Sequence, residues 1–424
     1  MKKDQSKLLF LSSLGGILEF YDFIIFALFA GYIADAFYPQ SKEIGLLIAF
    51  ATFAIGYLVR PIGGIIFGHF GDRKGRKSTF TISILLMAIA TLCIGLVPTY
   101  TAIGIYAPCL ITLLRMLQGF SIGGEIPGSI AYVSESLPNK KGLACGIIFC
   151  SLTLGIVLGS LTHALIIYVL TPTQMHDYGF RLPFIFGGIF GLCSFFLRRG
   201  LHESSQFLNI KKEVEKLPIV VVFEQEFRHA LAGTFIIALC AGIITQLFLF
   251  VPSYFTKILL LKDGAFIWER TASIALGSLL SLFFGYLSDF ISVKKLMLAL
   301  GLTTLLLAYP IFAIYVYCPN LYYLAFFASS ILMGFSAGVA PSLLANLFPT
   351  KIRFSGIAAS YNLGFAIFGG LTPFISLSLI YYTGIATMPA LYLIILSLLS
   401  IIAVISTKKF NATSEIDTGP LETT

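Results

Sequence analysis

The chain has 424 residues, 57% of them hydrophobic and 11% charged, with a formal net charge of +8. Soluble domains carry about 25% charged residues, and no soluble core hides this much apolar surface, so a water-soluble enzyme is excluded and lipid is the apolar solvent. A mean hydropathy of +0.92 agrees.

A spanning helix needs roughly 20 mostly apolar residues, so the length leaves room for about a dozen. Apolar runs fall at about 8–34, 44–69, 79–97, 101–125, 142–170, 180–198, 229–252, 270–290, 295–317, 321–346, 354–381 and 387–407. The predicted fold is an all-α membrane protein with 12 transmembrane helices in two six-helix pseudo-symmetric bundles. The expected divisions are an N-terminal bundle over 1–198, a polar linker over 199–228, a C-terminal bundle over 229–407 and a polar tail over 408–424.

The N-terminus begins as a signal peptide would, with Lys2, Lys3 and Lys7 before an apolar run. That run continues past residue 30, holds Glu19 and Asp22 and lacks a small-x-small cleavage site, so it reads as an uncleaved first helix. Seven cysteines (Cys93, Cys109, Cys145, Cys150, Cys193, Cys240, Cys318) lie mostly in apolar runs without CxxC or metal-ligand spacing. They read as free thiols packing as small hydrophobes, and no metal site is expected.

With a cytoplasmic N-terminus, 21 of the 28 Lys and Arg fall in segments on the inner side and five in outer loops, while Arg60 and Arg115 sit inside helices. This positive-inside bias makes both termini cytoplasmic. It also accounts for the net charge without any nucleic-acid partner.

A faint repeat relates the halves. The second-to-third helix junction reads Gly68-His-Phe-Gly-Asp72-Arg73-Lys-Gly75-Arg76-Lys77, and the eighth-to-ninth reads Gly285-Tyr-Leu-Ser-Asp289, followed by Lys294 and Lys295. Each places a Gly four residues before an Asp, then basic residues. Gly68 permits close helix approach, Gly75 a tight turn, and Asp72 can face the positive end of a neighbouring helix.

The stretch from Gly68 to Lys77 matches GxxxDRxGR[RK] and resembles the second-loop signature of the major facilitator superfamily. Further motifs resemble its metabolite:proton symporter family, and within that the proline/glycine betaine permease type. They are Leu18–Phe23, Arg60-Pro-Ile-Gly-Gly64, Arg115–Glu125, Phe180-Arg-Leu-Pro-Phe184 and Phe348-Pro-Thr-Lys-Ile-Arg353. The resemblance covers about residues 12–380. It implies the major facilitator fold, a cavity lined by helices one, four, seven and ten, residence in the inner membrane of a bacterium, and action as a monomer. The second-half copy of the loop motif keeps Asp289 but lacks the Arg and Gly positions, which implies an asymmetric inner gate.

A charge at the bilayer centre costs about 2.5–3.5 kcal/mol on insertion scales and marks a functional site. Glu19 and Asp22 share a face of the first helix, and Arg115 and Gln118 share one on the fourth. Asp22, or else Glu19, is expected to bind a coupling proton, with ionised Asp22 pairing to Arg115 and its protonation freeing Arg115 for a substrate carboxylate. Tyr21, Gln118, Gln246 and Asn362 complete the candidate substrate contacts. The candidate inner gate is Gly68, Asp72, Arg73, Gly75, Arg76, Lys77, Glu135 and Asp289, with Glu125 joining it. Arg60 reads as structural and His163 as a packing histidine. The pairs Gly64/Gly68, Gly119/Gly123, Gly155/Gly159 and Gly187/Gly191 read as helix packing.

No GxxxxGK[ST] loop or H-E-x-x-H occurs, and no motif suggests an enzyme, so neither ATP hydrolysis nor another enzymatic activity is expected, and no cofactor beyond a coupling ion. That ion reads as a proton, with sodium left open. The expected function is proton-coupled symport of a small polar metabolite, a zwitterion or a small organic acid, across the bilayer. The competing reading is an efflux antiporter of the same superfamily. Such antiporters carry a proline-containing motif in helix five, and Leu154–Ser160 has no proline.

Overall fold

The computed structural model describes residues 3–38, 42–200, 203, 208, 218–261 and 266–407. The linker lysines Lys211, Lys212 and Lys216, outer Lys262 and the tail beyond Thr407 lie outside the described residues.

Backbone in hydrocarbon has no water to bond, so each crossing closes its hydrogen bonds as a helix. Twelve helices among the described residues are long and apolar enough to cross a membrane. They are α1 (Lys3–Leu28), α2 (Lys42–Lys74), α3 (Arg76–Leu96), α4 (Tyr106–Ser136), α5 (Lys141–Val169), α6 (Leu182–Arg198), α7 (Phe227–Ile244), α8 (Ile267–Leu287), α9 (Val293–Tyr317), α10 (Tyr322–Ala345), α11 (Arg353–Leu363) and α12 (Pro389–Ser406). Two of these continue through a π turn. α7 passes Thr245–Phe250 into Val251–Lys257, and α11 passes Gly364–Gly369 into Thr372–Thr383.

Local sequence explains several ends. Pro183 and Pro389 stand in the first turns of α6 and α12, where a missing N–H costs nothing. Gly75 alone separates α2 from α3, at φ +123°, a conformation that only glycine adopts readily. α4 runs eleven residues past the expected end at Glu125, to Ser136. Hydropathy stops at Glu125, but that carboxylate is neutralised by Arg198 inside the bundle, so the helix carries on. The first run, expected to reach residue 34, ends its helix at Leu28, and a short helix follows over Ala30–Phe37.

Glycine faces set the packing. A Cβ on Gly119 of α4 would lie 2.0 Å from the Gly56 carbonyl of α2, and one on Gly123 would lie 2.2 Å from the Arg60 carbonyl. α5 meets α1 the same way at Gly155, and α8 at Gly142 and Gly146. Contacts between the two sets of six helices run mainly along α2 with α11 and α5 with α8. These are the same pairing seen twice, since α2 and α8 occupy equivalent places in the two halves, as do α5 and α11. Large apolar side chains, among them Leu58, Leu306, Phe374 and Tyr382, are left exposed on the outside of the bundle for lipid.

Because Gly119 meets backbone rather than a movable side chain, Gly119→Ala is expected to cost about 1–3 kcal/mol by overpacking. Gly31→Ala, where a new Cβ meets nothing within 4 Å, is the control. Thermal unfolding of the purified protein in detergent checks this, and an unshifted midpoint for Gly119→Ala contradicts the close contact.

Candidate functional site

The sequence places ionisable groups on α1, α2 and α4 at mid-membrane depth, and the fold turns them toward one another. Glu19, Asp22, Arg60 and Arg115 are all under 5% exposed. Glu19 Oε1 accepts from Arg60 Nη2 at 3.0 Å. The Arg60 guanidinium also lies over Tyr57 at 5.4 Å and over Phe365 of α11 at 5.8 Å, so it touches both halves.

Asp22 has a different environment. Its Oδ2 accepts from the Thr91 hydroxyl of α3. Thr91 Oγ1 accepts from Gln118 Nε2 at 2.7 Å, and Gln118 Oε1 accepts from Arg115 Nη1 at 2.7 Å. The direct Asp22–Arg115 pair expected from the sequence is therefore replaced by a relay through two neutral side chains. Arg115 fills its remaining surroundings with rings, Phe26 at 4.2 Å and Phe53 at 5.2 Å. Four polar atoms here are buried without a partner: Glu19 Oε2, Asp22 Oδ1, Arg60 Nε and Arg115 Nε.

Two cavities adjoin these groups. One is lined by Glu19, Phe20, Tyr57, Arg60 and Ile122 with Ile244, Thr245, Leu249 and Phe365 from the second half. The other is lined by Phe53, Gly56, Tyr57, Arg60, Arg115, Gln118, Gly119 and Ile122. They share Tyr57, Arg60 and Ile122 as lining, so Arg60 stands between them, while Arg115 lines the second alone. The π turns of α7 and α11 supply Thr245, Leu249 and Phe365 to the wall, as such turns often do at functional sites.

Of the candidate substrate contacts, Arg115 and Gln118 line this space, while Tyr21, Gln246 and Asn362 bond elsewhere. The Tyr21 hydroxyl donates to the Pro183 carbonyl of α6, Gln246 Nε2 to the Pro389 carbonyl at 2.5 Å, and Asn362 Nδ2 to the Gly123 carbonyl at 2.9 Å. Sequence reasoning missed Thr91 and Tyr57 and read Arg60 as structural. The motif containing Arg60 was visible, but its partner on α1 was not. His163 packs edge-on against Phe29, as a packing histidine does.

The second cluster lies at the end of the bundle that carries the basic loop. Asp72 accepts from the backbone N–H groups of Phe354 (3.2 Å) and Ser355 (2.9 Å), in the first turn of α11. Asp289 does the same for Gly142 (2.7 Å) and Leu143 (3.0 Å), in the first turn of α5. Each carboxylate thus caps a helix of the opposite half, where N–H groups and the helix dipole favour an anion. Arg76 bonds Asp72 at 2.9 Å, Glu135 at 3.3 Å and the Thr350 carbonyl at 2.6 Å. Glu135 also accepts from Arg353 at 3.3 Å, so it holds a guanidinium from each half. Gly68 lets α2 pack within 3.0 Å of the Ser355 backbone, measured from the Cβ it lacks.

Three expectations need correction here. Arg73 is exposed and among the described residues bonds His69 alone, and Lys77 enters through its backbone N–H, which Glu203 caps together with that of Arg76. Glu125 belongs to no contact between halves. It pairs with Arg198 of α6 at 2.7 Å and accepts from Ser83, while Arg198 also bonds the Leu11 and Ser12 carbonyls, so the group ties α1, α3, α4 and α6 together.

Residues 12–268 match the family model described as Major Facilitator Superfamily. A Staphylococcus haemolyticus protein named "Putative proline/betaine transporter" is 33% identical over 410 residues, covering 94% of this chain and 86% of its own. The "Citrate-proton symporter" of Klebsiella pneumoniae is 30% identical, covering 89% and 86%. The "Inner membrane metabolite transport protein YhjE" of Escherichia coli is 32% identical, covering 95% and 94%. Among solved structures, the proton:xylose symporter XylE bound to 6-bromo-6-deoxy-D-glucose superposes with a TM-score of 0.75 at 16% identity, covering 95% of this chain and 94% of its own. The chain is a multi-pass membrane transport protein, not an enzyme, and it belongs to the major facilitator superfamily.

Proposed function

We propose that this chain imports a small charged metabolite together with a proton by alternating access, its two six-helix bundles rocking about the central cavity. The observation that carries this reading is the relay from Asp22 to the cavity wall at Arg115. The names of its relatives support it: one is called a proline/betaine transporter and one a citrate-proton symporter. The positive-inside count supports a cytoplasmic location for the basic end and both termini. The state described is then one with its inner gate shut.

Thr91 gives the relay two settings. Its hydroxyl has one proton and two acceptors in reach, Asp22 Oδ2 and the Met87 carbonyl at 2.9 Å. With Asp22 ionised, Thr91 donates to the carboxylate and Gln118 donates to Thr91. With Asp22 protonated, the carboxyl donates to Thr91, whose own proton turns to Met87. The heavy atoms need not move, yet Arg115 no longer faces a negative charge, so the positive field it casts on the cavity rises with protonation. Sodium in place of the proton would need oxygen ligands around Asp22 beyond Thr91, and Asp22 Oδ1 has no partner among the described residues.

Asp22→Asn is expected to abolish proton-driven accumulation while leaving exchange of substrate across the bilayer. A 100 mV gradient supports about 50-fold accumulation per charge, so the steady-state ratio in proteoliposomes should fall from tens toward one. Thr91→Val should act in the same direction and Thr91→Ser should restore coupling. Undiminished accumulation by Asp22→Asn would defeat the coupling role.

The gate has its own test. Asp72→Ala is expected to speed hydrogen–deuterium exchange of the Phe354 and Ser355 amides and leave Gly142 and Leu143 slow at first. Asp289→Ala should do the reverse. Mass spectrometry of the corresponding peptides reads both, and identical exchange in wild type and variants would show the caps to be idle.

A further inference from the structure

We infer that the Glu19–Arg60 ion pair is the docking point for the substrate, which inserts between the two charges and thereby selects small zwitterions. The inference rests on the transport reading above and adds to it the residues that choose the cargo.

The pair is built to be opened. It lies at the wall of the cavity that both halves line, both partners buried, and among the described residues each keeps an unused atom: Glu19 Oε2 has no donor and Arg60 Nε no acceptor. These spare atoms are the complement of a ligand bearing one cationic nitrogen and one carboxylate. Insertion replaces one buried ion pair by two and changes the local charge by nothing. A monocarboxylate placed against Arg60 would strand Glu19 as an unpaired buried anion. A simple amine placed against Glu19 would strand Arg60. Either stranded charge is costly in a buried site, so the pair rejects singly charged analogues by leaving one of its own members unsatisfied.

The surroundings fit the same ligand. Phe20, Tyr57 and Phe365 line the cavity beside the pair, a wall suited to the apolar body of a small molecule and to its cationic nitrogen. Arg60 already rests on Tyr57 and Phe365, and Phe365 belongs to the second half. Shifting Arg60 toward a carboxylate therefore alters a contact that joins the halves. This gives substrate binding a direct route to the movement, separate from the proton's route through Thr91.

The test uses the full-length purified chain and four probes that differ by one charge: L-proline, glycine betaine, cyclopentanecarboxylate (proline without its nitrogen) and pyrrolidine (proline without its carboxylate). Thermal stabilisation in detergent reads binding. A zwitterion should stabilise the wild type, and the two singly charged isosteres should not at the same concentration. Glu19→Gln should weaken the zwitterion by about 10- to 100-fold, the weight of one charge-assisted hydrogen bond.

The inference is overturned if cyclopentanecarboxylate binds as well as either zwitterion, if neither zwitterion binds, or if Glu19→Gln binds them unchanged. Should that variant fail to fold, the ranking of isosteres by the wild type decides alone. Proton-driven uptake of cyclopentanecarboxylate into proteoliposomes would refute this docking mode and leave the symport reading standing. Zwitterion binding without proton-driven accumulation would do the opposite.

Discussion

A charge carried into the bilayer interior has to be neutralised within the protein, and the position of each neutralising partner organises this molecule. Where the partner lies in the same half, the charge is a staple. Glu125 with Arg198 is the clear instance, fully satisfied by Ser83 and by the carbonyls of Leu11 and Ser12. Where the partner lies in the other half, the charge is a latch, as with Asp72, Asp289 and Glu135. Where the partnership is incomplete, as at Glu19, Arg60, Asp22 and Arg115, polar atoms remain without a partner among the described residues, which is where the proposed ligand and proton act.

The latch is made of contacts weak enough to break. A carboxylate capping a helix contributes about 0.5–2 kcal/mol, and two such caps with the Glu135 bridge amount to a few kcal/mol. One proton crossing 100 mV releases about 2.3 kcal/mol. The two quantities are of the same order, so under the proposed symport these hydrogen bonds are strong enough to hold a gate shut and weak enough for the driving force to open it. The halves are unequal in this respect. Asp72 has Arg76 beside it, whereas Asp289 has no ion-pair partner among the described residues, in keeping with the arginine and glycine missing from the second copy of the motif.

The helices were legible because spanning length and hydropathy depend on composition alone, and Asp72 and Asp289 because a repeated spacing exposed them. Even the helix-end role of Asp72 followed from its place beside a turn. Glu125 misled, because a carboxylate near a basic loop looks the same in sequence whether its partner is a gate arginine or Arg198, 73 residues away. Gln246 and Asn362 misled for a related reason. Both are polar groups on helices near the cavity, but the rotation of each helix, which the π turn in α7 alters locally, aims Gln246 at α12. Thr91 carried no signal at all. A single hydroxyl in an apolar helix ordinarily bonds its own backbone four residues back, and Thr91 does that too. Its tie to Asp22 crosses 69 residues.

The neutral relay between Asp22 and Arg115 also resolves a difficulty in the direct pairing first expected. A bare carboxylate–guanidinium contact away from water is held by an attraction that costs several kcal/mol to break, and a proton would have to compete against all of it. Spacing the two charges by Thr91 and Gln118 keeps each hydrogen-bonded while thinning the Coulomb energy, which falls with distance. Under the proposed coupling, a proton on Asp22 exchanges for a hydroxyl hydrogen bond, not for an ion pair. Arg60 stands in the opposite position, in direct contact with Glu19. The molecule thus presents one carboxylate joined to its arginine through two neutral side chains and another in direct contact with its arginine. Such a division of labour is what a carrier needs if the coupling ion is to come and go while the specificity of the cargo site stays fixed.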